Sequence, residues 1–201
     1  MPHIEALKSC ASILKKCKDS VIRVYIVPGS HDYSPTGKTM LSVMENAGLL
    51  KDVLIMEKNN GMIKLVFTQD ESGAKICGIL GKMGALEKSY YEILDESADN
   101  EQGFKIFVMH SAIEEFSPSL ASTAVPKSLL PKNFSYYANG HVHTKLLEKH
   151  ENGFIAFPGP LFPTSFDELE DYDSGFYMIE YGSSGMKIDR KKIKLDRKSV
   201  V

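Results

Sequence analysis

The sequence predicts a layered α/β domain in which two β-sheets are flanked by helices. Two nearly continuous apolar runs, at residues 21–27 and 104–109, are rich in β-branched side chains and are typical of strands buried on both faces. Strands alternate with helices in the first half of the chain, whereas the second half is mostly strands. A length of 201 residues, with 43% hydrophobic and 25% charged residues, suits one soluble domain with a sizeable core.

In the first half, apolar residues at helical spacing predict an amphipathic helix over residues 3–18. The strand at 21–27 follows, and a second helix is predicted over 38–48, with Gly48 at its end. The remaining elements of this half are short strands at 51–56, 63–68 and 75–80, a turn at 70–73, and a helix at 83–95.

In the second half, the strand at 104–109 ends on His110, and a strand at 136–138 leads into Asn139-Gly140-His141. A long loop with a short helix near 126–130 joins these two strands. The later strands are predicted at 144–149, 153–157, 175–181 and 186–195.

Charge and cysteine content exclude several classes of protein. A net charge of -2 gives no general attraction to nucleic acid, so any such function must come from a local site. The three cysteines form no CxxC pair, which favours a reducing, cytoplasmic location, and Cys10 and Cys17 are predicted to be buried on one helix face. The sequence shows no signal peptide and no apolar run long enough to span a bilayer.

Four of the six histidines directly follow apolar runs, namely His31, His110, His141 and His143. Loops at the carboxyl ends of neighbouring strands converge on one crevice, so these imidazoles are expected to meet there. Imidazole is the commonest protein ligand of transition metals, and the glycine in "GHVH" lets two rings leave one turn in different directions.

Each of these signals has an ordinary alternative when it is taken alone. A single histidine after a strand is more often a loop residue, and His3 and His150 are interpreted as a surface residue and a turn residue. The joint occurrence of "GSHD", His110 and "GHVH", in that order, favours a metal site.

That order resembles the back half of the calcineurin-like metallophosphoesterases, whose pattern is Asp-x-His, Gly-Asp-x-x-Asp, Gly-Asn-His-Asp/Glu, His and Gly-His-x-His. The segments "FSYYANGHVHTK" and "IAFPGPLFPTSFDELEDYDSGFYMIEY" are similar to the SbcD-like exonucleases of double-strand-break repair. The resemblance covers roughly residues 4–195 and implies a metallophosphoesterase-type sandwich without its first strands.

The resemblance also implies a two-metal site that hydrolyses DNA phosphodiester bonds, with Mn²⁺ as the usual ion. His110 and His141 would bind the second metal, and His143 would bind the first. His31 would face the scissile phosphate and protonate the leaving oxygen, while Asp32 would orient its ring.

Two departures from the family pattern stand out. Ser30 occupies the position of an Asn that donates a carbonyl oxygen to the second metal, so a weaker site, or one completed by water, is expected. No Asp lies two residues before a His, and none of the 15 glycines is followed by Asp, so the first two motifs are absent. A site without those carboxylates would bind Mn²⁺ poorly.

Three explanations for the missing motifs stay open: a fragment of a longer protein, a non-catalytic relative, or a site completed by a second polypeptide or a second copy. The retained histidines favour the fragment. The expected organisation is a single, N-terminally incomplete phosphoesterase domain over 1–201, without a capping domain and weak or inactive alone.

Partners follow from the same resemblance: DNA for the intact protein, a homodimer or an ATPase subunit as assembly partner, and no membrane. Lys191, Lys192 and Lys194 in the basic tail are weak candidates for DNA contacts, since lysines protecting an edge strand give the same pattern. Two other functions stay open, a non-catalytic interaction protein and a phosphodiesterase for a small substrate.

Overall fold

The computed structural model describes residues 3–32, 39–82, 84, 86–163 and 173–194. Its helices are α1 (Ile4–Asp19), α2 (Met40–Asn46) and α3 (Lys88–Tyr91). Short 3-10 turns occupy Glu96–Ala98, Glu114–Phe116, Pro118–Leu120 and Lys127–Leu129. Its strands are β1 (Tyr25–Ile26), β2 (Lys51–Asp52), β3 (Met56–Asn59), β4 (Met62–Leu65), β5 (Thr68–Gln69), β6 (Lys75–Ile79), β7 (Lys105–Met109), β8 (Tyr136–Asn139), β9 (Lys145–His150), β10 (Gly153–Pro158), β11 (Gly175–Gly182) and β12 (Gly185–Lys192).

A mixed sheet with the strand order β5-β6-β7-β8-β10-β9 forms the centre of the molecule. Strands β6, β7, β8 and β10 are parallel, and β5 and β9 pair antiparallel at the two edges. The register aligns Met109 at the end of β7 with Asn139 at the end of β8. The loops after the parallel strands therefore meet at one end of the sheet, which we call the carboxyl edge.

One face of this sheet is packed into a closed core. Cys77, Phe107, Tyr137 and Ile155 lie opposite one another on the four parallel strands and are fully buried on that face. The rings of Phe107, Phe134 and Tyr137 contact one another, with centroids 5.5 to 6.2 Å apart. This core fixes the strands whose ends carry the histidine loops.

The opposite face of the sheet is only partly covered, and Ile106 and Val108 remain half-buried. A cleft of about 660 Å³ opens beside Ile106, between Tyr25 of β1 and Tyr181 of β11. In the described part of the chain, β1 pairs only with β2 and β11 only with β12. Outside the central sheet, the described strands form three two-stranded sheets, β1-β2, β3-β4 and β11-β12.

The α/β prediction is confirmed, while several predicted elements are shorter than expected. The strand predicted over 51–56, for example, is represented by β2 and the first residue of β3. The strand predicted over 21–27 pairs only at Tyr25–Ile26, because Val21 takes a left-handed φ of 59° and β2 is just as short. Within the described part of 83–95, α3 covers four residues. Beyond it the chain runs beside β4, where Ile63 exchanges backbone hydrogen bonds with Ile93 and Asp95.

The prediction of buried helix-face thiols is wrong. Helix α1 contains no buried residue. Cys10 is exposed, Cys17 is half-buried, and both are free thiols. Among the described residues, no helix combines the length and the apolar character that a membrane crossing requires.

Candidate metal centre

Two of the predicted ligands, His110 and His141, lie together at the carboxyl edge. His110 follows the last residue of β7, and His141 follows β8 after Gly140. Their ring centroids are 5.1 Å apart, with an angle of 63° between the planes. Imidazole nitrogens bind transition metals at about 2.1 Å, so two rings that share one ion have centroids roughly 5 Å apart. The spacing of the two rings is therefore that of two imidazoles that share one ion.

Three glycines allow the backbone to close around the His110 ring. A Cβ on Gly29 would lie 2.9 Å from Cε1 of His110, and one on Gly140 would lie 2.9 Å from Nδ1. A Cβ on Gly81 would lie 2.4 Å from Cδ2. These three positions come from the loops after β1, β8 and β6, so a side chain at any of them would displace the imidazole.

A buried hydrogen-bond network supports the two strand ends below the histidine pair. The Asn139 amide accepts from the Ser111 N–H at 3.2 Å and donates to the Ser111 carbonyl at 2.9 Å. The Ser111 hydroxyl is 3.1 Å from the Tyr91 hydroxyl. The sequence prediction missed this role of Asn139, although the residue lies in the segment that leads into "GHVH".

The surroundings of both rings favour their neutral form, which is the form that binds a metal. Burial lowers the pKa of His110 to about 4, the charge of His141 adds to this effect, and Asp32 opposes it. Partial burial also lowers the pKa of His141, and the carboxylate of Glu87 opposes that shift. Both rings are therefore uncharged at neutral pH.

The loop that carries "GSHD" lies beside this pair. His31 is exposed in this loop, and its charge contributes to the lowered pKa of both His110 and His141. Gly29, two residues before His31, lies against the His110 ring, since a Cβ there would be 2.9 Å from Cε1. Ser30 is buried in the same loop. Asp32 accepts a hydrogen bond from the Gly29 N–H at 2.7 Å and thereby closes the loop. The orientation of the His31 ring by Asp32 stays a prediction.

His143 is exposed two residues beyond His141, and its charge contributes to the lowered pKa of both His110 and His141. Of the four predicted histidines, His110 and His141 are the two whose rings contact each other. Across the described residues, however, no three His, Cys, Asp or Glu side chains converge closely enough to hold a metal. The residues present fit a two-histidine half-site and do not complete a coordination shell.

One carboxylate near the centre escaped the sequence prediction. Glu87 is 2% exposed and accepts a hydrogen bond from the Lys82 N–H at 3.0 Å. Its charge opposes the lowering of the His141 pKa that burial causes. Its position within a predicted helix gave no sign that it approaches a histidine loop. The structure places Glu87 directly before α3, outside the helix.

The three predicted lysines of the basic tail do not form one surface. Lys191 and Lys192 are neighbours on β12 and therefore point to opposite faces of the hairpin. Lys191 lies opposite Phe176, whereas the Lys192 ammonium is 3.1 Å from Asp173. Lys194 is exposed beyond the end of β12.

Comparisons with known proteins agree with the motif resemblance. The chain is 29% identical over 209 residues to the DNA double-strand break repair protein Mre11 of Methanocaldococcus jannaschii, covering 100% of this chain and 53% of the relative. It is 28% identical to the Mre11 protein of Saccharolobus solfataricus, over 90% of this chain and 46% of the relative. The protein of the same name from Methanopyrus kandleri is 25% identical, over 92% and 43%.

The chain spans about half the length of these curated relatives. No family model matches it. The similarities nevertheless extend over nearly all of the chain and include the segments that carry the four histidines. They confirm the resemblance and relate this chain to the double-strand-break-repair nuclease branch of the calcineurin-like metallophosphoesterases.

Proposed function

We propose that this chain is the phosphoesterase part of a DNA repair nuclease that, when intact, hydrolyses phosphodiester bonds with two divalent ions. The observation that carries the proposal is the pair of neutral rings of His110 and His141, 5.1 Å apart at the carboxyl edge. DNA is the proposed substrate because the relatives are named as DNA double-strand break repair proteins.

In this proposal His110 and His141 bind one ion and His143 binds the other. Ser30 lies beside the ion that His110 and His141 bind. Mn²⁺ is the proposed ion, and a divalent ion would polarise a phosphate oxygen. The two-histidine half-site supports this assignment only in part, so further ligands must come from outside the described residues.

His31 is the proposed proton donor to the leaving oxygen. Its ring is exposed on the loop beside the histidine pair, so it can reach a bound phosphate and exchange protons with solvent. Asp32 closes that loop through the Gly29 N–H and keeps a negative charge near the rings.

The test is Mn²⁺ binding, followed by the electron paramagnetic resonance signal of the free ion. We expect weak binding that is lost in His110→Ala and in His141→Ala, because each change removes half of the pair. His3→Ala is the matched control, since His3 is exposed at the start of α1. Binding that survives His110→Ala would contradict the assignment.

A second measurement concerns the activity of the chain alone. With Mn²⁺ and bis-p-nitrophenyl phosphate, we expect no turnover above background, because the described ligand set is incomplete. Clear turnover that disappears in His143→Ala would show that the 201-residue chain already contains a working site.

A further inference from the structure

Three cationic side chains meet one carboxylate beside the candidate metal centre. Asp173 binds the Lys145 ammonium, the Arg190 guanidinium at 2.9 Å and the Lys192 ammonium at 3.1 Å. This arrangement holds the pKa of Asp173 well below its usual range, with the hydrogen bond from Lys145 as the largest cause. Three positive charges against one negative charge leave the cluster strongly cationic.

The cluster lines a groove of about 470 Å³ between β9 and the β11–β12 hairpin, which we call the Asp173 groove. Lys145 lies two residues after His143, a separation of at most about 7 Å along an extended chain. Gly159 connects the two regions, since a Cβ there would lie 3.8 Å from both the His143 carbonyl and Lys145. The groove therefore begins next to His143.

Parts of this cluster are not needed to fold the hairpin onto the sheet. Arg190 alone already joins Asp173 to β10, because its guanidinium also donates to the Pro158 carbonyl at 3.3 Å. The Lys145 and Lys192 side chains, in contrast, are 49% and 73% exposed. Surface ion pairs of this kind contribute little to stability, so these two ammonium groups remain available to an anion.

The floor of the groove suits a nucleic-acid strand better than a free anion. It contains Leu146, Ile188 and Tyr177. Burial raises the pKa of Tyr177, and the charges of Arg190 and Lys145 oppose that shift. Proteins that bind single strands combine a basic groove along the backbone with aromatic rings on which bases stack. An aromatic ring beside the ammonium groups reproduces that combination.

We propose that the Asp173 groove binds the backbone of single-stranded DNA as the strand leaves the metal centre, with Lys145 and Lys192 contacting phosphates. The inference rests on the proposed function and names the path of its substrate. The inference assigns a DNA contact to Lys192 and none to Lys191, because Lys191 points to the other face of β12.

The test is the salt dependence of binding to a fluorescein-labelled oligothymidylate, measured by fluorescence anisotropy in EDTA. The variant Lys145→Gln/Lys192→Gln is compared with Lys149→Gln/Lys187→Gln, which removes the same charge from the same two strands. Lys149 lies four residues farther along β9, and Lys187 lies on the other face of β12, where it pairs with Asp189. Melting temperatures of all variants report any loss of folding.

Each phosphate contact on a single strand contributes about 0.7 to the slope of log affinity against log salt. We expect the slope to fall by about 1.4 in the groove variant and to stay at the wild-type value in the control, with similar melting temperatures. Equal losses in both variants, no measurable wild-type binding, or tighter wild-type binding to a duplex would each overturn the inference. Because no metal is present, these outcomes are independent of the Mn²⁺ test.

Discussion

At the scale of single residues, His110 is the proposed metal ligand that directly follows a strand of the central sheet. Its ring is enclosed by backbone from three loops, and burial keeps it neutral. A change in its protonation or in its packing should therefore be measurable in the folded protein, even before any ion is added.

The pKa of His110 makes folding stability depend on pH. The pKa is about 4 in the folded protein against an ordinary 6.5, so between these values the unfolded chain binds a proton that the folded chain excludes. Stability should therefore rise from pH 4 to pH 6.5 and level off above it. The rise is about 2 kcal/mol after allowance for the partial exposure of the ring.

Urea denaturation in EDTA across this pH range checks the prediction. His110→Gln should reduce the rise, because Gln does not titrate, and His3→Gln should retain it. An unchanged pH profile in His110→Gln would assign the effect to other groups, such as His141 and His150, whose pKa values burial also lowers.

The packing of His110 leads to a second prediction, for Gly81→Ala. The added Cβ would lie 2.4 Å from Cδ2 of His110 and 2.8 Å from its carbonyl oxygen, so the histidine or the loop must move. We expect a loss of about 1–3 kcal/mol in stability and a shifted imidazole signal in the NMR spectrum. Gly182→Ala is the control, since an added Cβ would meet no described atom within 4 Å.

At the scale of elements, the sequence predicted the central strands well because mostly apolar and mostly buried residues form nearly continuous runs in them. Strands β6, β7, β8 and β10 lie within two residues of their predicted bounds, and the histidines that follow them could be located for the same reason. The grouping of these histidines at one edge required only the rule that parallel strands end on the same side.

The missed elements depend on turn geometry and on contacts that are distant in the sequence. Asn60 and Gly61, with φ values of 49° and 80°, form a tight turn between β3 and β4, and their Asn-Gly signal was present but overlooked. The position of Glu87 beside His141 could not be predicted, because it depends on how α3 packs on the strand ends. Neither periodicity nor motif spacing contains that information.

Helix α1 provides a prediction at this scale. It has 16 residues, none of them buried, and both Ile4 and Ile13 are largely exposed. Isolated helices of this length are marginal in water, so its amides should exchange with solvent far faster than those of β7. Hydrogen–deuterium exchange by mass spectrometry checks this, and protection of α1 equal to that of β7 would indicate an apolar cover on the helix.

At the scale of the whole molecule, the two ends of the central sheet carry different kinds of side chain. The carboxyl edge carries the histidine pair, with the Asp173 groove beside it, so substrate binding and chemistry are proposed to share one end. The cleft beside Ile106 lies at the opposite end of the strands and is lined mainly by apolar side chains and tyrosines. The net charge of -2 is thus distributed unevenly, with a cationic path on an otherwise slightly acidic protein.

The backbone walls around His110 have a consequence for ion selectivity. A mobile side chain loses roughly 0.5–1.5 kcal/mol of rotamer freedom when a ligand immobilises it. The backbone at Gly29, Gly81 and Gly140 lies close enough to the His110 ring to restrict its movement in the folded protein. If His110 binds an ion as proposed, differences in affinity between ions at this ring would report coordination chemistry more than the ordering of the side chain.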